Sequence, residues 1–289
     1  MAITSQQIKR VTADLYEWSL KMIPPDTKLA LQGASGREAS EVGRKTLTIM
    51  LKSANAAEAT GGLVCSDVGI PTYSVKIGTR VRFDGPVRQA IVDGFADLAA
   101  RINPPILKMV TNPLTHVRSH AGKDIPIVSF DVIDDADYLE ITCAPKAMGT
   151  GRWEALETFV YPTLETIENY VLDQVVKAGS QPCPPMVVGV GIGGTFDHAA
   201  RMAKEMVLRP FGRTNPEPIL AAMEQRLLAA INTLGFGPMG TGGDTTAMAV
   251  HIDYAGSHGF MPVALSLNCW INRRTRARIH ADGRVERME

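Results

Sequence analysis

The sequence predicts an α+β fold, a helix-rich domain around a small β-sheet, from three observations. First, several segments carry apolar residues at the spacing of an amphipathic helix, as Ile8, Val11 and Leu15 do. Second, short apolar runs rich in β-branched residues, such as Met186–Val190, are typical of buried strands. Third, no repeat or low-complexity tract divides the 289 residues. We therefore expect one domain over residues 1–289.

Breaking residues and periodicity locate the helices in chain order. Pro24 and Pro25 end the first helix, because proline removes a backbone donor. Gly179 closes a later one, as glycine often does at a helix C-terminus. The expected helices are Thr4–Met22, Ser35–Ala56, Pro86–Ile102, Leu164–Lys177, one that begins near Thr195 or Asp197, and Glu217–Leu234.

The strand predictions depend on short apolar runs bounded by turn residues. An acidic turn over 134–137 separates two of them, and Asp282-Gly283 predicts a hairpin in the charged tail. A glycine loop is expected at 148–152. The expected strands are Thr72–Phe83, Ile125–Phe130, Tyr138–Cys143, Met186–Val190, Ala247–Ile252 and Pro262–Leu267.

Composition excludes several classes of function. The chain has 30 basic and 30 acidic side chains, so charge gives no reason to expect nucleic acid or an anionic membrane as partner. No apolar run approaches the roughly 20 residues that span a bilayer. The polar N-terminus lacks the apolar core of a signal peptide. We expect a cytoplasmic protein, whose cysteines are thiols or metal ligands rather than disulfides.

The segment from Cys183 to Asp197 combines a thiol on a proline-rich loop, a strand, a glycine turn and a helix start. Its Gly189-x-Gly191-x-x-Gly194 pattern matches a dinucleotide-binding fingerprint. That fingerprint also requires a second strand ending in an acidic residue about 20 residues later. Here the helix runs into Arg209-Pro210 instead. Nucleotide binding is therefore the least favoured of the functions considered.

The four cysteines lie at positions 65, 143, 183 and 269, without the paired spacing of a zinc knuckle or a thioredoxin site. Spacing alone favours four buried apolar thiols. Local context instead places Cys65, Cys183 and Cys269 on loops, because they lie beside glycines, prolines or basic residues. Cys143 ends a predicted strand and is assigned to the core. Three loop thiols could hold one iron–sulfur cluster and leave one iron open as a Lewis acid.

Polar residues near these cysteines have two possible roles each. Asp67 follows Cys65 closely and could transfer a proton, or it could be a solvated turn carboxylate. His116 and Arg118, with His120 and Lys123, could bind a dicarboxylate or form a solvated basic loop. His258 could face the same site from a loop before Cys269. Two further arginines, Arg273 and Arg274, could bind substrate or form surface ion pairs.

Four blocks of sequence resemble the class I, iron–sulfur-dependent fumarases and the alpha subunits of L(+)-tartrate dehydratase. The block Cys183-Pro-Pro-Met-Val-Val-Gly-Val-Gly-Ile-Gly-Gly-Thr-Phe-Asp resembles their signature. Leu234-Gly-Phe-Gly-Pro-Met-Gly-Thr-Gly-Gly-Asp and the stretch His258–Cys269 are similar to two more blocks. Cys65-Ser-Asp-Val-Gly is similar to the family's Cys-Gln-Asp-Thr-Gly. The resemblance extends from about residue 10 to residue 285.

This resemblance implies a [4Fe-4S] cluster on Cys65, Cys183 and Cys269, whose fourth iron binds the hydroxyl and carboxylate of a small dicarboxylate substrate. It implies reversible loss of water from a 2-hydroxy dicarboxylate, with Asp67 in proton transfer. From its position before Cys269, we expect His258 to be a second catalytic residue. It also implies a helical domain around a small sheet and a homodimer. The family's second domain lies outside this chain, so a separate beta subunit is expected to supply it.

Departures from the family pattern fall at substrate-facing positions. Ser66 stands where glutamine is usual, and the usual substrate arginine is replaced by His116 or shifted to Arg118. The family's glycine-rich loop appears here with Gly149 and Gly151. We therefore expect conserved cluster chemistry with a substrate other than plain fumarate. The alternative is a catalytically silent, cluster-free homologue that acts as a binding or scaffold subunit.

Overall fold

The computed structural model describes residues 2–288 and confirms the α+β class. Over these residues the chain forms eight α-helices and eleven strands. The helices are α1 (Ser5–Lys21), α2 (Pro25–Arg37), α3 (Glu41–Thr60), α4 (Val87–Arg101), α5 (Met148–Gly151), α6 (Leu164–Ala178), α7 (Phe196–Met206) and α8 (Pro218–Thr233).

The strands form three sheets, of five, two and four strands, in the part of the chain that is described. This is more sheet than the few short strands that we expected. The strands are β1 (Thr72–Gly78), β2 (Val110–Thr111), β3 (Arg118–Ser119), β4 (Ile127–Ile133), β5 (Tyr138–Cys143), β6 (Ala155–Val160), β7 (Met186–Gly193), β8 (Ala247–Ala255), β9 (Phe260–Asn268), β10 (Thr275–His280) and β11 (Val285–Met288).

The chain divides into two compact units, each assembled from separated segments. The first unit comprises Met1–Pro24, Ser53–Met148 and Arg273–Glu289. The second comprises Pro25–Lys52 and Gly149–Asn272. The expectation of a single domain stays a prediction.

The first unit contains the five-stranded sheet in the order β11-β10-β5-β1-β4. Only β1 and β4 in this sheet run parallel, and the other neighbours are antiparallel. Helices α1 and α4 pack together through Tyr16 and Phe95, whose ring centroids lie 5.2 Å apart. Fully buried Tyr73, Leu139 and Ile141 belong to the same core. The chain's final strand pair therefore completes a sheet that begins near residue 72.

The second unit contains the four-stranded sheet in the order β6-β9-β7-β8, with β7 parallel to β8 and antiparallel to β9. Every residue of β7 is buried. A Cβ atom at Gly189 would lie 2.2 Å from the carbonyl oxygen of Ala203, and one at Gly191 would lie 2.2 Å from that of Ala199. These glycines therefore allow α7 to approach β7 closely, which explains the pattern without a nucleotide.

Two of our element predictions were wrong for identifiable reasons. The helix expected at Ser35–Ala56 is divided between α2 and α3, because Ser40 begins a new helix and its Oγ accepts from the Gly43 amide at 3.1 Å. The glycine loop expected at 148–152 is instead the single helical turn α5. Strand β6 was not expected from the sequence. Its residues do not alternate regularly between buried and exposed positions, so it lacks the pattern by which a half-buried strand is recognised. None of the described helices is both long and apolar enough to cross a membrane.

Candidate metal centre and active site

Cys183 lies on the loop before β7, held between two buried prolines, Pro182 and Pro184. Its backbone has a φ of 54°, in the left-handed region that non-glycine residues rarely adopt. The amide of Trp270 donates to the Cys183 carbonyl at 3.2 Å. Because Trp270 follows Cys269 directly, this bond places the Cys183 and Cys269 segments side by side within the second unit.

Cys269 lies just beyond the end of β9, in a turn that closes on itself. The Asn272 amide donates to the Cys269 carbonyl at 3.0 Å, and Asn268 Nδ2 donates to Asn272 Oδ1 at 2.9 Å. Trp270 is buried beside it, whereas Cys269 itself is half-buried. The turn therefore fixes the backbone of Cys269 while it leaves the side chain near the surface of the unit.

A glycine-rich segment, residues 235–246, packs against the Cys183 loop. The Met239 amide donates to the Pro184 carbonyl at 2.8 Å, and the Met186 amide donates to the Thr246 carbonyl at 2.9 Å. At Gly240, φ is 73° and a Cβ atom would lie 2.4 Å from Ser180 Cβ. Close approach to the Cys183 loop therefore requires glycine at this position.

Glu38 is a functional candidate that the sequence reading missed. Its side chain is 2% exposed and accepts from the amides of Asp244, at 2.8 Å, and Thr245, at 2.9 Å. Burial alone would raise the pKa of Glu38, but hydrogen bonds from Thr245 and from the backbone of Asp244 and Ser40 outweigh it and lower the pKa. An ionised carboxylate thus fixes residues 235–246. No pattern around Glu38 marks this role, because its partners are about 200 residues away.

Cys65 and Asp67 lie on an irregular segment of the first unit that joins α3 to β1. Both residues are half-buried, and Ser66 between them is exposed. Asp67 Oδ1 accepts from the Gly69 amide at 3.0 Å, and Gly69 has a φ of 72°. Asp67 is therefore a partly buried turn residue, and its role in proton transfer stays a prediction.

Both arginines after Cys269 are buried, at 5% exposure for Arg273 and 9% for Arg274. Surface ion pairing, one of the two expected roles, is therefore wrong for them. Arg273 Nη1 donates to the Asp67 carbonyl, and Nη2 donates to the Cys65 carbonyl at 3.4 Å.

Cys143 is the structural cysteine that the sequence predicted. It ends β5, is fully buried, and belongs to the core of the first unit. Burial raises the pKa of the Cys143 thiol far above its ordinary range, and contacts with hydroxyl groups, of which Tyr73 is the foremost, oppose this only in part. Its thiol therefore stays protonated and unreactive at neutral pH.

The residues predicted to bind substrate on the β2–β3 hairpin and on α5 are exposed or half-buried. His116 has a φ of 60° in the exposed turn between β2 and β3, and Arg118 pairs with Thr111 in that two-stranded sheet. Gly149 is exposed and Gly151 is half-buried on α5. All of these side chains or backbones are accessible to a small ligand. Their role in substrate binding stays a prediction.

His258 lies on the connection between β8 and β9, where its ring stacks on Phe260 at 5.4 Å between centroids. Its Nδ1 accepts from the Phe260 amide at 3.2 Å. Cys269 follows the opposite end of β9, and a nine-residue strand is roughly 25 Å long from its first residue to its last. His258 and Cys269 of one chain therefore do not lie side by side. The catalytic role of His258 stays a prediction.

The donor set suits an iron–sulfur cluster, whose ligands are cysteine thiolates. None of Cys65, Cys183 and Cys269 forms a disulfide, and all three are half-buried on irregular backbone. Within residues 2–288, no group of three or more His, Cys, Asp and Glu side chains is placed to hold a metal ion. Cys65 belongs to the first unit and the other two to the second, so the three-thiol centre stays a prediction.

Comparison with known proteins gives one consistent result. Residues 9–278 match the family model described as fumarate hydratase (Fumerase). A putative L(+)-tartrate dehydratase subunit alpha of Methanocaldococcus jannaschii is 34% identical over 287 residues, which cover 96% of this chain and all of that protein. The L(+)-tartrate dehydratase subunit alpha of Escherichia coli strain K12 is 29% identical over 288 residues, which cover 98% and 94% of the two chains. The resemblance read from the sequence is thereby confirmed, and the chain belongs to the fumarate hydratase family.

Proposed function

We propose that this chain is the alpha subunit of an iron–sulfur hydro-lyase that reversibly removes water from a 2-hydroxy dicarboxylate. Membership of the fumarate hydratase family supports this reaction class. The structural observation that carries the proposal is the bond between the Trp270 amide and the Cys183 carbonyl. It brings together two cysteines that are 86 residues apart in sequence, 183 and 269, on backbone that other hydrogen bonds hold in place.

Cys65, Cys183 and Cys269 are the residues that would hold a [4Fe-4S] cluster. When bound, the cluster supplies an iron without a protein ligand, which acts as a Lewis acid toward a hydroxyl group. Each of the three cysteines is half-buried within its own unit, so none is enclosed in a core as Cys143 is. Cys143 takes no part, because it is enclosed in the core of the first unit.

Asp67 is the proposed proton carrier. Its backbone is fixed by Arg273, and one carboxylate oxygen is fixed by the Gly69 amide, so the position of the carboxylate is well defined. A positioned carboxylate can accept the proton on carbon that is lost with the hydroxyl group. Ser66, exposed beside it, is proposed to contact the substrate where the family usually has glutamine.

Arg118 or His116 is proposed to bind a substrate carboxylate. Arginine is suited to this role because its planar guanidinium can donate two parallel hydrogen bonds to a carboxylate. Gly149 and Gly151 lack side chains and would let the substrate approach the backbone closely. His258 is proposed to act in a homodimer, because within one chain it lies at the far end of β9 from Cys269.

A separate beta subunit is proposed as the obligatory partner. The relatives in Methanocaldococcus jannaschii and Escherichia coli are named as alpha subunits, and each is covered almost entirely by this chain. The beta subunit would supply the further substrate-binding residues that the resemblance implies. We place the complex in the cytoplasm, where reduced thiols and a cluster are compatible.

The reaction can be tested with the chain and its beta subunit purified together without oxygen. We expect iron and sulfide in equal amounts, about four of each per alpha chain, and dehydration of L(+)-tartrate or a substituted malate. Fast dehydration of malate, with tartrate and methyl-substituted analogues inert, would overturn the proposed substrate. Absence of iron and sulfide from the anaerobic protein would favour the cluster-free scaffold instead.

A further inference from the structure

We propose that Arg273 is a positioning residue that fixes the Cys65–Asp67 segment and provides the positive charge that balances an anionic group at Cys65. This inference depends on the proposed function, because the anionic group is taken to be the thiolate-bound cluster. No motif marks Arg273 for this role. It follows from the burial, the hydrogen bonds and the charge of this one side chain.

The guanidinium of Arg273 spans the segment. One nitrogen, Nη1, donates to the carbonyl of Asp67, and the other, Nη2, donates to that of Cys65 at 3.4 Å. Arginine can bind two acceptors at once because its donors form a rigid fork. A single side chain therefore fixes the backbone on both sides of Ser66, between the predicted metal ligand and the predicted proton carrier.

The ends of the same segment are held by other groups of the first unit. The Val64 amide donates to the Leu20 carbonyl at 3.0 Å, and Tyr16 Oη donates to the Val68 carbonyl at 3.2 Å. Arg273 adds the restraint in the middle, at residues 65 and 67. Without it, we expect the middle to move while the two ends stay attached.

The charge of Arg273 is the observation that calls for an anion. The side chain is 5% exposed, its Nε is buried without a hydrogen-bond partner, and it forms an ion pair with no carboxylate of residues 2–288. Arginine remains protonated in proteins, and a buried charge is costly unless it is compensated. Carbonyl oxygens solvate it only partly.

Arg209 is an example, in the same protein, of an arginine whose charge is compensated by a carboxylate. Its side chain is 15% exposed, and its Nη2 lies 2.6 Å from Glu224 Oε2. Glu224 in turn accepts from the Ile252 amide at 2.8 Å and from Asn215. Arg209 Nε is also buried without a hydrogen-bond partner, so the difference lies in the carboxylate: the half-buried Arg209 has one, whereas Arg273 has two carbonyls beside a predicted metal ligand.

Two substitutions separate position from charge. Arg273→Lys keeps the charge but cannot bridge both carbonyls in the same way, and Arg273→Met keeps much of the length without the charge. Arg278→Met is the matched control, since Arg278 lies on the adjacent strand β10 and its Nε is paired with Glu140 at 2.8 Å. Each full-length variant is prepared both without metal and after anaerobic reconstitution.

The first measurement is hydrogen exchange of residues 64–69 in the metal-free chain. We expect exchange to rise at least tenfold in Arg273→Lys and Arg273→Met, with little change in α1 or β5 and none at 64–69 in Arg278→Met. Uniform acceleration across the first unit would show a merely structural role and overturn the inference. If Arg273→Met fails to fold, the lysine variant decides this point alone.

The second measurement is the fraction of reduced cluster at a fixed potential. We expect the ratio of reduced to oxidised cluster to fall about tenfold in Arg273→Met, which corresponds to about 59 mV for one electron, and to stay within threefold in Arg273→Lys. An unchanged ratio in Arg273→Met, with a raised KM, would assign the charge to substrate instead and overturn the inference. A wild-type chain that binds no iron would refute the proposed function and this charge role, while the exchange result would still stand.

Discussion

Cys143 and Cys183 show how one residue type is held in two different ways. Cys143 is enclosed by the core of the first unit, and burial raises its pKa far above the ordinary range. Cys183 is half-buried on a loop of the second unit, with a φ of 54° and a carbonyl bound by Trp270. The first thiol is fixed by side-chain packing and the second by hydrogen bonds of the backbone.

This difference predicts that Cys143 contributes mainly to stability and Cys183 mainly to ligand binding. A thiol in a packed core contributes to the free energy of folding and stays protonated. The backbone of Cys183 is held instead by distant groups, among them Glu38, which acts through residues 235–246. Such a thiol does not need to be enclosed by side chains, so its sulfur can remain accessible to a ligand. Substitutions at the two positions should therefore change different measurements.

The largest expected contrast is in iron binding. Cys183→Ser should lose most of the iron and nearly all activity after anaerobic reconstitution, because serine is a poor iron–sulfur ligand. Its melting temperature should change little. Cys143→Ser should keep its iron but melt at a lower temperature, because the smaller and more polar side chain packs less well at this buried position. Iron content and thermal unfolding measure both effects, and wild-type iron in Cys183→Ser would contradict the contrast.

A smaller effect is expected at Glu38, which fixes the glycine-rich segment beside Cys183. Glu38→Gln removes a buried charged acceptor, so we expect a loss of about 2–3 kcal/mol in the free energy of unfolding. Urea denaturation measures it. Glu41→Gln on α3 is the control. Glu41 Oε1 lies 2.7 Å from Lys45 Nζ, but both side chains are largely exposed, so the pair should stabilise the fold by at most about 1 kcal/mol. Equal losses in both variants would contradict the role of Glu38.

Shortening the buried thiol should have a modest cost. Cys143→Ala removes one buried atom from the core of the first unit, and we expect a loss of roughly 1–2 kcal/mol in the free energy of unfolding. The iron content should equal that of wild type. Loss of iron in Cys143→Ala, with the fold intact by circular dichroism, would show that the buried thiol belongs to the metal centre after all.

The smallest effect is a pH dependence. The pKa of Cys143 is raised in the folded chain, so the unfolded chain loses its thiol proton first as pH rises. The stability that this group contributes is complete below the unfolded value of about 8.5 and declines above it. We expect a loss of about 1 kcal/mol between pH 8 and 9.5, measured by urea denaturation of wild type and absent from Cys143→Ala. Measurements stop there because raised tyrosine pKa values, as at Tyr16, add their own loss at higher pH.

Sequence patterns predicted the elements whose signals are local. The helix at Thr4–Met22 is confirmed as α1, and its cap at Thr4 accepts from the Gln7 amide as a local motif should. The tail hairpin is also confirmed, with Asp282-Gly283 between β10 and β11. These elements depend on residues within a few positions of each other, which one sequence displays directly.

Other features depend on contacts between distant residues, and the sequence alone could not show them. Glu38, in the connection between α2 and α3, accepts from the amides of Asp244 and Thr245, about 200 residues later. The burial of Arg273 follows from carbonyls at 65 and 67. Family resemblance led to the prediction of the ligand cysteines, but the residues that position their backbones have no signature of their own.

The first unit is built from both ends of the chain, since β10 and β11 complete the sheet that contains β1 and β5. During synthesis, β5 would wait for about 130 residues before its partner β10 leaves the ribosome. At 5–20 residues per second, this delay lasts roughly ten seconds. The nascent chain therefore has an unpaired strand edge for much of its translation, and a chaperone that shields such edges should raise the yield of the complete protein.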